Sequence, residues 1–107
     1  MLSGQHYIAG EWLNGPDVFQ ADSPATGNKL PTKFQHGTEE LVDQAVTAAQ
    51  ACAEEFAAML PAKRAEFLRA IADEIDARGD EITEIGTLES ALPAARLTGE
   101  RGRTVGQ

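Results

Sequence analysis

Apolar residues recur at helical spacing in the second half of the chain. Phe67, Ile71 and Ile75 stand four residues apart with mostly polar residues between them, which is the pattern of a helix with one apolar face. Arg78 and Gly79 follow. This pair is typical of a helix end, because a cation suits the last turn and glycine readily adopts a positive φ. The pattern therefore predicts a helix that ends at this pair.

A second helix is predicted directly after the break. Asp80 is expected to be its N-cap, with Glu81 close to the positive end of the helix dipole. Its apolar positions are Ile82, Ile85, Leu88 and Leu92. The two stretches together predict a helix, a short break and a helix.

Two more helices are predicted to flank this pair. The first is expected to begin after Thr38, a suitable N-cap, and to end near Leu60, because Pro61 lacks the N–H that would continue it. This helix is rich in alanine, so neighbours can approach it closely. The last helix is predicted over Ala94–Gln107, although each of its three glycines weakens a helix by about 1 kcal/mol relative to alanine.

Short strands are predicted ahead of the helices. Residues His6–Leu13 suit a hairpin that turns at Gly10, and Val18–Ala21 and Lys29–Gln35 suit two further strands. Because no helix intervenes, the four strands are expected to form an antiparallel meander, which needs something to pack against. The predicted fold class is α+β, with short antiparallel strands followed by three or four helices.

Length and composition limit the classes of protein to consider. The chain has 107 residues, of which 42% are hydrophobic, and this suits one small domain with a core. No apolar run is long enough to cross a membrane, and the first residues lack the basic and apolar regions of a secretory signal. A single cysteine excludes an internal disulfide. A cytoplasmic location is therefore expected.

The charge of the chain is strongly negative. Its formal net charge is −8, and the segment Glu39–Glu89 holds 13 acidic residues against 4 basic ones. The acids coincide with the predicted helices, where charge on the solvent-facing side is expected. A chain this acidic repels phosphate, so we expect no nucleic-acid partner.

Cys52 is the one thiol and therefore the obvious candidate nucleophile. It stands three residues after Ala49 and four before Phe56, on the predicted apolar face of the first helix. Buried thiols behave as small hydrophobic groups with a raised pKa. We therefore expect a buried, structural cysteine.

Neither the histidines nor the acids form a recognisable metal site. His6 and His36 have no Cys or His at ligand spacing around them, so solvent-facing strand positions are expected for both. The acids at helical spacing are Asp73, Glu74, Asp76, Asp80, Glu81 and Glu84. They spread around the polar faces, which favours a solvated surface over a metal or acid–base cluster.

Glycines and arginines near the C-terminus give a weak phosphate-binding pattern. These residues are Gly99, Arg101, Gly102, Arg103 and Gly106. Their spacing is G-x-x-G-x-x-x-G rather than G-x-G-x-x-G, and no predicted strand precedes them. We prefer a glycine-containing helix that packs closely on a neighbour, with the arginines at its surface or against an anionic group. By these criteria we expect no catalytic, cofactor-binding or metal-binding residue in this chain.

Four segments in order resemble the N-terminal region of the aldehyde dehydrogenase superfamily. They are YIAGEW at Tyr7–Trp12, SPATGNKL at Ser23–Leu30, AVTAAQACAEEF at Ala45–Phe56 and RAEFLRAIADEIDARGDEITEIGTLESALP at Arg64–Pro93. Essentially the whole chain is covered. The closing run PAARLTGERGRTVGQ and the opening GQHYIAGEW are most similar to α-ketoglutaric semialdehyde (2,5-dioxopentanoate) dehydrogenases. One departure is the pair Ser90 and Ala91, which stands where the family usually has Thr-Gly.

The resemblance implies a full-length protein that oxidises an aldehyde with NAD or NADP. In the family a cysteine attacks the carbonyl, the thiohemiacetal passes hydride to the nicotinamide, and a glutamate activates the water that hydrolyses the thioester. These parts lie C-terminal to the matched region, and Cys52 does not align with the catalytic cysteine. We expect residues 1–37 to form an N-terminal hairpin or meander and residues 38–107 an incomplete, helical segment of the cofactor-binding domain, with no cofactor bound to this chain alone.

Three hypotheses follow for the chain as it stands. The first is an N-terminal fragment, or the product of a truncated gene, of an NAD(P)-dependent aldehyde dehydrogenase, not catalytic alone. The second is a non-catalytic helical module that self-associates as a homo-oligomer or binds a full-length homologue, because every predicted helix carries an apolar face. The third is a small enzyme that uses Cys52, which its labelling by iodoacetamide would test.

Overall fold

Short strands precede four helices in the computed structural model, which describes residues 2–107. The elements are β1 (His6–Ile8), β2 (Glu11–Leu13), β3 (Val18–Phe19), β4 (Phe34–Gln35), α1 (Glu39–Ala58), α2 (Pro61–Ala77), α3 (Gly79–Ser90) and α4 (Ala94–Gly106). Antiparallel strands followed by helices are the fold class that the sequence predicts, and that prediction is confirmed.

The first two strands form the predicted hairpin. Strands β1 and β2 are antiparallel, and Tyr7 lies opposite Trp12 in the register. Ala9 and Gly10 connect the strands with φ values of 53° and 88°. Two consecutive residues with positive φ are the mark of the tight turn whose twist matches that of a hairpin.

The other two strands form a sheet of their own. Strand β3 pairs with β4, with Phe19 opposite Phe34, and neither is paired with the first hairpin. The single four-stranded meander is therefore wrong. The strand expected over Lys29–Gln35 shortens to its last residues, because the chain before it forms a turn in which the Gly27 N–H donates to the Ser23 carbonyl at 2.7 Å.

The described residues divide into two units. The first joins residues 2–21 to Lys29–Met59, and it contains all four strands and α1. The second joins Asp22–Asn28 to Leu60–Gln107, and it contains α2, α3 and α4.

Helix α1 begins and ends where the sequence predicts. Thr38 is the N-cap, and its side-chain oxygen accepts a hydrogen bond from the Leu41 N–H at 3.3 Å. The helix ends at Ala58, before the proline that opens α2 as its first residue. Both boundaries follow from local chemistry, namely a hydroxyl that satisfies a free helix N–H and a ring that cannot continue the hydrogen-bond ladder.

The break between α2 and α3 differs from the prediction. Only Arg78 separates the helices, and Gly79 is the first residue of α3 rather than a residue with positive φ. Asp80 consequently lies inside the first turn and is not the N-cap. A Cβ on Gly79 would collide with the guanidinium of Arg101, which lies on this position. Gly79 therefore leaves room for the side chain of Arg101, which is distant in the sequence.

Helices α3 and α4 pack antiparallel in the second unit. Leu97 of α4 lies against Gly86 near the end of α3, where a Cβ would come within 3.0 Å of the leucine Cδ1. Arg101, one turn later, lies against Gly79 at the start of α3. Ala91 ends α3 in the left-handed region, with φ 59° and ψ 14°.

Large hydrophobic side chains remain partly exposed throughout the fold. Among residues 2–107 no hydrophobic side chain is buried, and sixteen large ones are exposed. In the second unit the exposed ones include Phe67, Leu68, Ile71, Ile82 and Leu88. The apolar faces that the sequence predicts are thus present, but the described residues do not cover them.

Candidate functional site

A polar site joins α4 to the junction of α2 and α3. Arg101 Nε lies 3.6 Å from Oδ1 of Asp76, and Arg101 Nη1 donates to the Thr83 hydroxyl at 3.2 Å. The guanidinium also covers Gly79, as described above. We call these four residues the Arg101 cluster. Its arginine side chain is 20% exposed and its aspartate side chain 57%.

The Arg101 cluster is suited to holding helices together rather than to catalysis. Its charged group lies at the C-terminal end of α2, where a cation is favourable because the last carbonyls carry partial negative charge. Within the described residues, the last turn of α2 contains no basic residue. The expectation that an arginine here lies against an anionic group is confirmed for Arg101, whereas Arg103 is exposed.

An open apolar groove lies on α2 and the start of α3. The apolar residues that line the groove are Phe67, Ala70, Ile71, Ile75 and Ile82. Its polar residues are Glu74 and Arg78, which form an ion pair at 3.7 Å one helical turn apart. A pocket for a dinucleotide needs several convergent polar groups, so this groove suits contact with another apolar surface.

Cys52 lies on α1 and is exposed, so the expected burial is wrong. Its Sγ donates a weak hydrogen bond to the Ala49 carbonyl at 3.2 Å. The residue stands on the side of α1 that the apolar spacing marks, but nothing in the described chain buries it. The sequence could not show this, because burial depends on the partner surface and not on the helix alone.

The two histidines occupy different environments. His36 is exposed, and its ring lies 4.9 Å from that of Phe19. His6 is half-buried, and its Nε2 is enclosed without a hydrogen-bond partner. A solvent-facing position is therefore right for His36 and wrong for His6. Within residues 2–107 no group of three or more His, Cys, Asp or Glu side chains is arranged to hold a metal ion.

The acids of α2 and α3 remain on the helix surfaces, as the sequence predicts. Asp73, Glu74, Asp76, Asp80, Glu81 and Glu84 are all exposed. Of these, Asp76 pairs with Arg101 and Glu74 with Arg78. A solvated face with ion pairs describes them better than an acid–base centre does.

The three glycines of α4 have no close neighbours among the described residues. Gly99, Gly102 and Gly106 lie within the helix, and a Cβ at any of them would meet nothing within 4 Å. The predicted helix is confirmed, but the close packing expected at these glycines occurs instead at Gly79 and Gly86. The sequence offered one signal for this, since these two glycines are seven residues apart and share one face of α3.

The N-terminus of α1 has a strongly acidic character. Glu39 and Glu40 occupy its first turn, and Asp43 follows one turn later. Hydrogen bonds from the backbone N–H of Glu40 and from the Thr38 hydroxyl hold the pKa of the Glu40 carboxyl below its usual 4.5. These carboxylates already use the positive end of the helix dipole, so the N-terminus is unsuited to an anionic ligand.

None of the helices within residues 2–107 combines the length and apolar character needed to cross a bilayer.

Comparison with known proteins gives a consistent set of similarities. Residues 12–107 match the sequence profile of the aldehyde dehydrogenase family. The chain is 40% identical over 108 aligned residues to α-ketoglutaric semialdehyde dehydrogenase 2 of Azospirillum brasilense, covering 99% of this chain and 21% of that protein. It is 33% identical over 90 residues to betaine aldehyde dehydrogenase of Rhizobium etli, covering 82% of this chain and 18% of that protein.

Solved structures show the same fold. A betaine aldehyde dehydrogenase from Staphylococcus aureus, solved with NAD+, superposes with a TM-score of 0.87 at 23% identity, covering 95% of this chain and 21% of that one. An NAD-dependent benzaldehyde dehydrogenase from Corynebacterium glutamicum gives 0.85 at 22% identity, with 95% and 22% covered. The chain thus spans about one fifth of the length of the relatives it matches.

Proposed function

The chain belongs to the aldehyde dehydrogenase family, and we propose that it is the N-terminal part of an NAD(P)-dependent enzyme that oxidises an aldehyde to a carboxylic acid. The proposed substrate is α-ketoglutaric semialdehyde. The observation that carries this proposal is the 40% identity, over nearly the whole chain, to a dehydrogenase named for that substrate.

The proposed role of this chain within the enzyme is structural. Residues 1–37 supply the N-terminal strands, and residues 38–107 supply a helical segment of the cofactor-binding domain. We assign no catalytic, cofactor-binding or metal-binding residue to the chain. The exposed thiol of Cys52 has no histidine near it in the sequence, and the guanidinium of Arg101 is already engaged by Asp76.

The uncovered apolar groove supports this role. Most of its side chains lie on consecutive turns of α2, where they offer a continuous surface to another layer of the protein. A domain normally buries such a face against a sheet or another helix. In the complete enzyme the remaining four fifths of the chain would supply that layer, together with the NAD or NADP site and the reactive cysteine. We place this enzyme in the cytoplasm, in keeping with the single cysteine of this chain.

The test is a direct assay of the purified 107-residue chain. We expect no reduction of NAD or NADP on addition of α-ketoglutaric semialdehyde, and no change in dinucleotide fluorescence on titration with the chain. Cys52→Ala serves as the matched control. Turnover by the chain above that of this variant would show that it is catalytic alone and would refute the structural role.

The exposed hydrophobic side chains favour one alternative, a non-catalytic module that self-associates or binds a full-length homologue. An apolar face that its own chain does not cover often marks an interaction surface. Sedimentation distinguishes the two, because a module of this kind forms a defined oligomer at micromolar concentration. A folded monomer at high concentration would refute self-association, and a failure to bind a full-length homologue would refute the rest of the alternative.

A further inference from the structure

We propose that α4 stays folded only while the guanidinium of Arg101 packs on Gly79. This inference does not depend on the reaction proposed above. It concerns one element of the second unit and the contacts that hold it there.

Helix α4 has little capacity to form alone. It has 13 residues, a length at which an isolated helix is marginal in water. Three of them are glycines, and no side chain caps its first turn. Its local support is modest, namely an exposed ion pair between Arg96 Nε and Glu100 Oε1 at 3.0 Å.

The glycines of α4 add no packing that would compensate for their weakening effect. A Cβ at Gly99, Gly102 or Gly106 would meet no atom within 4 Å. These positions project roughly opposite to Leu97 and Arg101 around the helix. The helix therefore owes its order to the side that contacts α2 and α3.

Two side chains on that side fit two glycines of α3. Leu97 and Arg101 are four residues apart, and the glycines they cover, Gly86 and Gly79, are seven residues apart on the antiparallel partner. Both contacts are close, because a Cβ would lie 3.0 Å from Cδ1 of Leu97 and 2.9 Å from Nε of Arg101.

The Arg101 contact is the one that reaches both neighbouring helices. The guanidinium pairs with Asp76 on α2 and donates to Thr83 on α3, and the side chain is 20% exposed. The hydrogen bond to Thr83 comes from a charged donor on a largely buried side chain, so it contributes more than an exposed surface pair does. Loss of this group should therefore release α4 while α2 and α3 keep their own hydrogen-bond ladders.

The experiment measures amide hydrogen exchange by NMR in the 107-residue chain and its variants. Arg101→Met removes the charged donors and keeps most of the apolar stem. We expect protection of the α4 amides to fall by about tenfold, with α1 amides changed by less than about twofold. Arg103→Met is the matched control, because it removes an exposed arginine from the same helix.

Gly79→Ala gives a second, independent test. The added methyl occupies the position of the Arg101 guanidinium and displaces it. The side-chain Nε–H of Arg101 should therefore exchange faster, and α4 should lose protection. In the Arg101→Met background the same change should be harmless or favourable, because alanine is the better helix former.

Four outcomes would overturn the proposal. The first is equal loss of protection in Arg101→Met and Arg103→Met. The second is loss that extends through α2 and α3, which would make Arg101 part of their core. The third is an α4 without protection in the unaltered chain. The fourth is additive effects of Gly79→Ala and Arg101→Met.

Discussion

The rings of Tyr7 and Trp12 are in contact across the first hairpin, directly opposite in register, with their centroids 4.9 Å apart and their planes tilted by 46°. Both side chains are largely exposed, at 64% and 60%. The contact between the rings, more than their burial, therefore contributes to holding the two short strands together.

This pairing predicts the response of the first unit to substitution. Trp12→Ala should lower its free energy of unfolding by about 1 kcal/mol, because an aromatic cross-strand pair contributes roughly that much. Trp12→Phe keeps a ring opposite Tyr7 and should retain most of the stability. Urea unfolding followed by circular dichroism measures both, and equal losses in the two variants would refute the stabilising role of the ring pair.

The cap of α1 gives the second prediction. Thr38→Ala removes the acceptor of the Leu41 N–H and should cost about 1 kcal/mol, whereas Thr38→Ser keeps it. The same hydroxyl helps to lower the pKa of the Glu40 carboxyl, so Thr38→Ala should raise that pKa towards 4.5.

The sign of the pH dependence at Glu40 follows from this shift. Because the folded pKa lies below the unfolded value of 4.5, the carboxylate stabilises α1 above that pH, and the contribution is lost as pH falls through the folded pKa. An NMR titration of the Glu40 carboxyl checks this. A Glu40 pKa unchanged by Thr38→Ala would contradict the assigned cause.

The end of α3 gives the third prediction. Ala91 is held at φ 59°, a left-handed conformation that costs an L-residue with a Cβ roughly 1 kcal/mol. Ala91→Gly should therefore stabilise the second unit by about that amount, as glycine does at most helix ends of this kind. Ala95→Gly, within α4, should do the opposite. Thermal unfolding of the two variants measures these changes in stability. A destabilised Ala91→Gly would contradict the energetic cost assigned to alanine at this position.

Cys52 gives the fourth prediction. Its exposed thiol should react completely with a disulfide reagent in the folded chain, at the rate of an ordinary thiol such as glutathione. Cys52→Ala should change the free energy of unfolding by no more than about 0.5 kcal/mol. A rate far above that of glutathione would instead indicate an activated nucleophile and favour a small enzyme.

Local chemistry explains what the sequence predicted well. The hydroxyl of Thr38 and the ring of Pro61 act on their immediate neighbours, so the bounds of α1 and the start of α2 could be inferred from a few residues. The hairpin at Gly10 was predictable for the same reason.

Long-range contacts explain what it did not predict. Gly79 is a residue typical of a helix end, but its role depends on its contact with Arg101, which lies twenty-two residues further along the chain. Cys52 stands at apolar spacing, but it is exposed, because burial needs a second surface and not only an apolar helix face. The absence of a catalytic or cofactor residue in this chain remains a prediction, as does the division at residue 37.

We propose that this chain supplies the N-terminal structural part of an aldehyde dehydrogenase, with its apolar groove covered by the rest of the enzyme. The most direct test is aldehyde oxidation by a hybrid in which this chain replaces the matching fifth of the Azospirillum brasilense relative. Ile71→Asp, in the groove, is the matched control. It should be tolerated in the isolated chain, where the side chain is exposed, and should abolish assembly of the hybrid.

We predict that the hybrid oxidises α-ketoglutaric semialdehyde with reduction of NAD or NADP, at a rate within about tenfold of the relative, and that Ile71→Asp removes this activity. A hybrid that folds and binds the dinucleotide but oxidises no aldehyde would contradict the claim, and so would a hybrid whose activity is indifferent to Ile71→Asp.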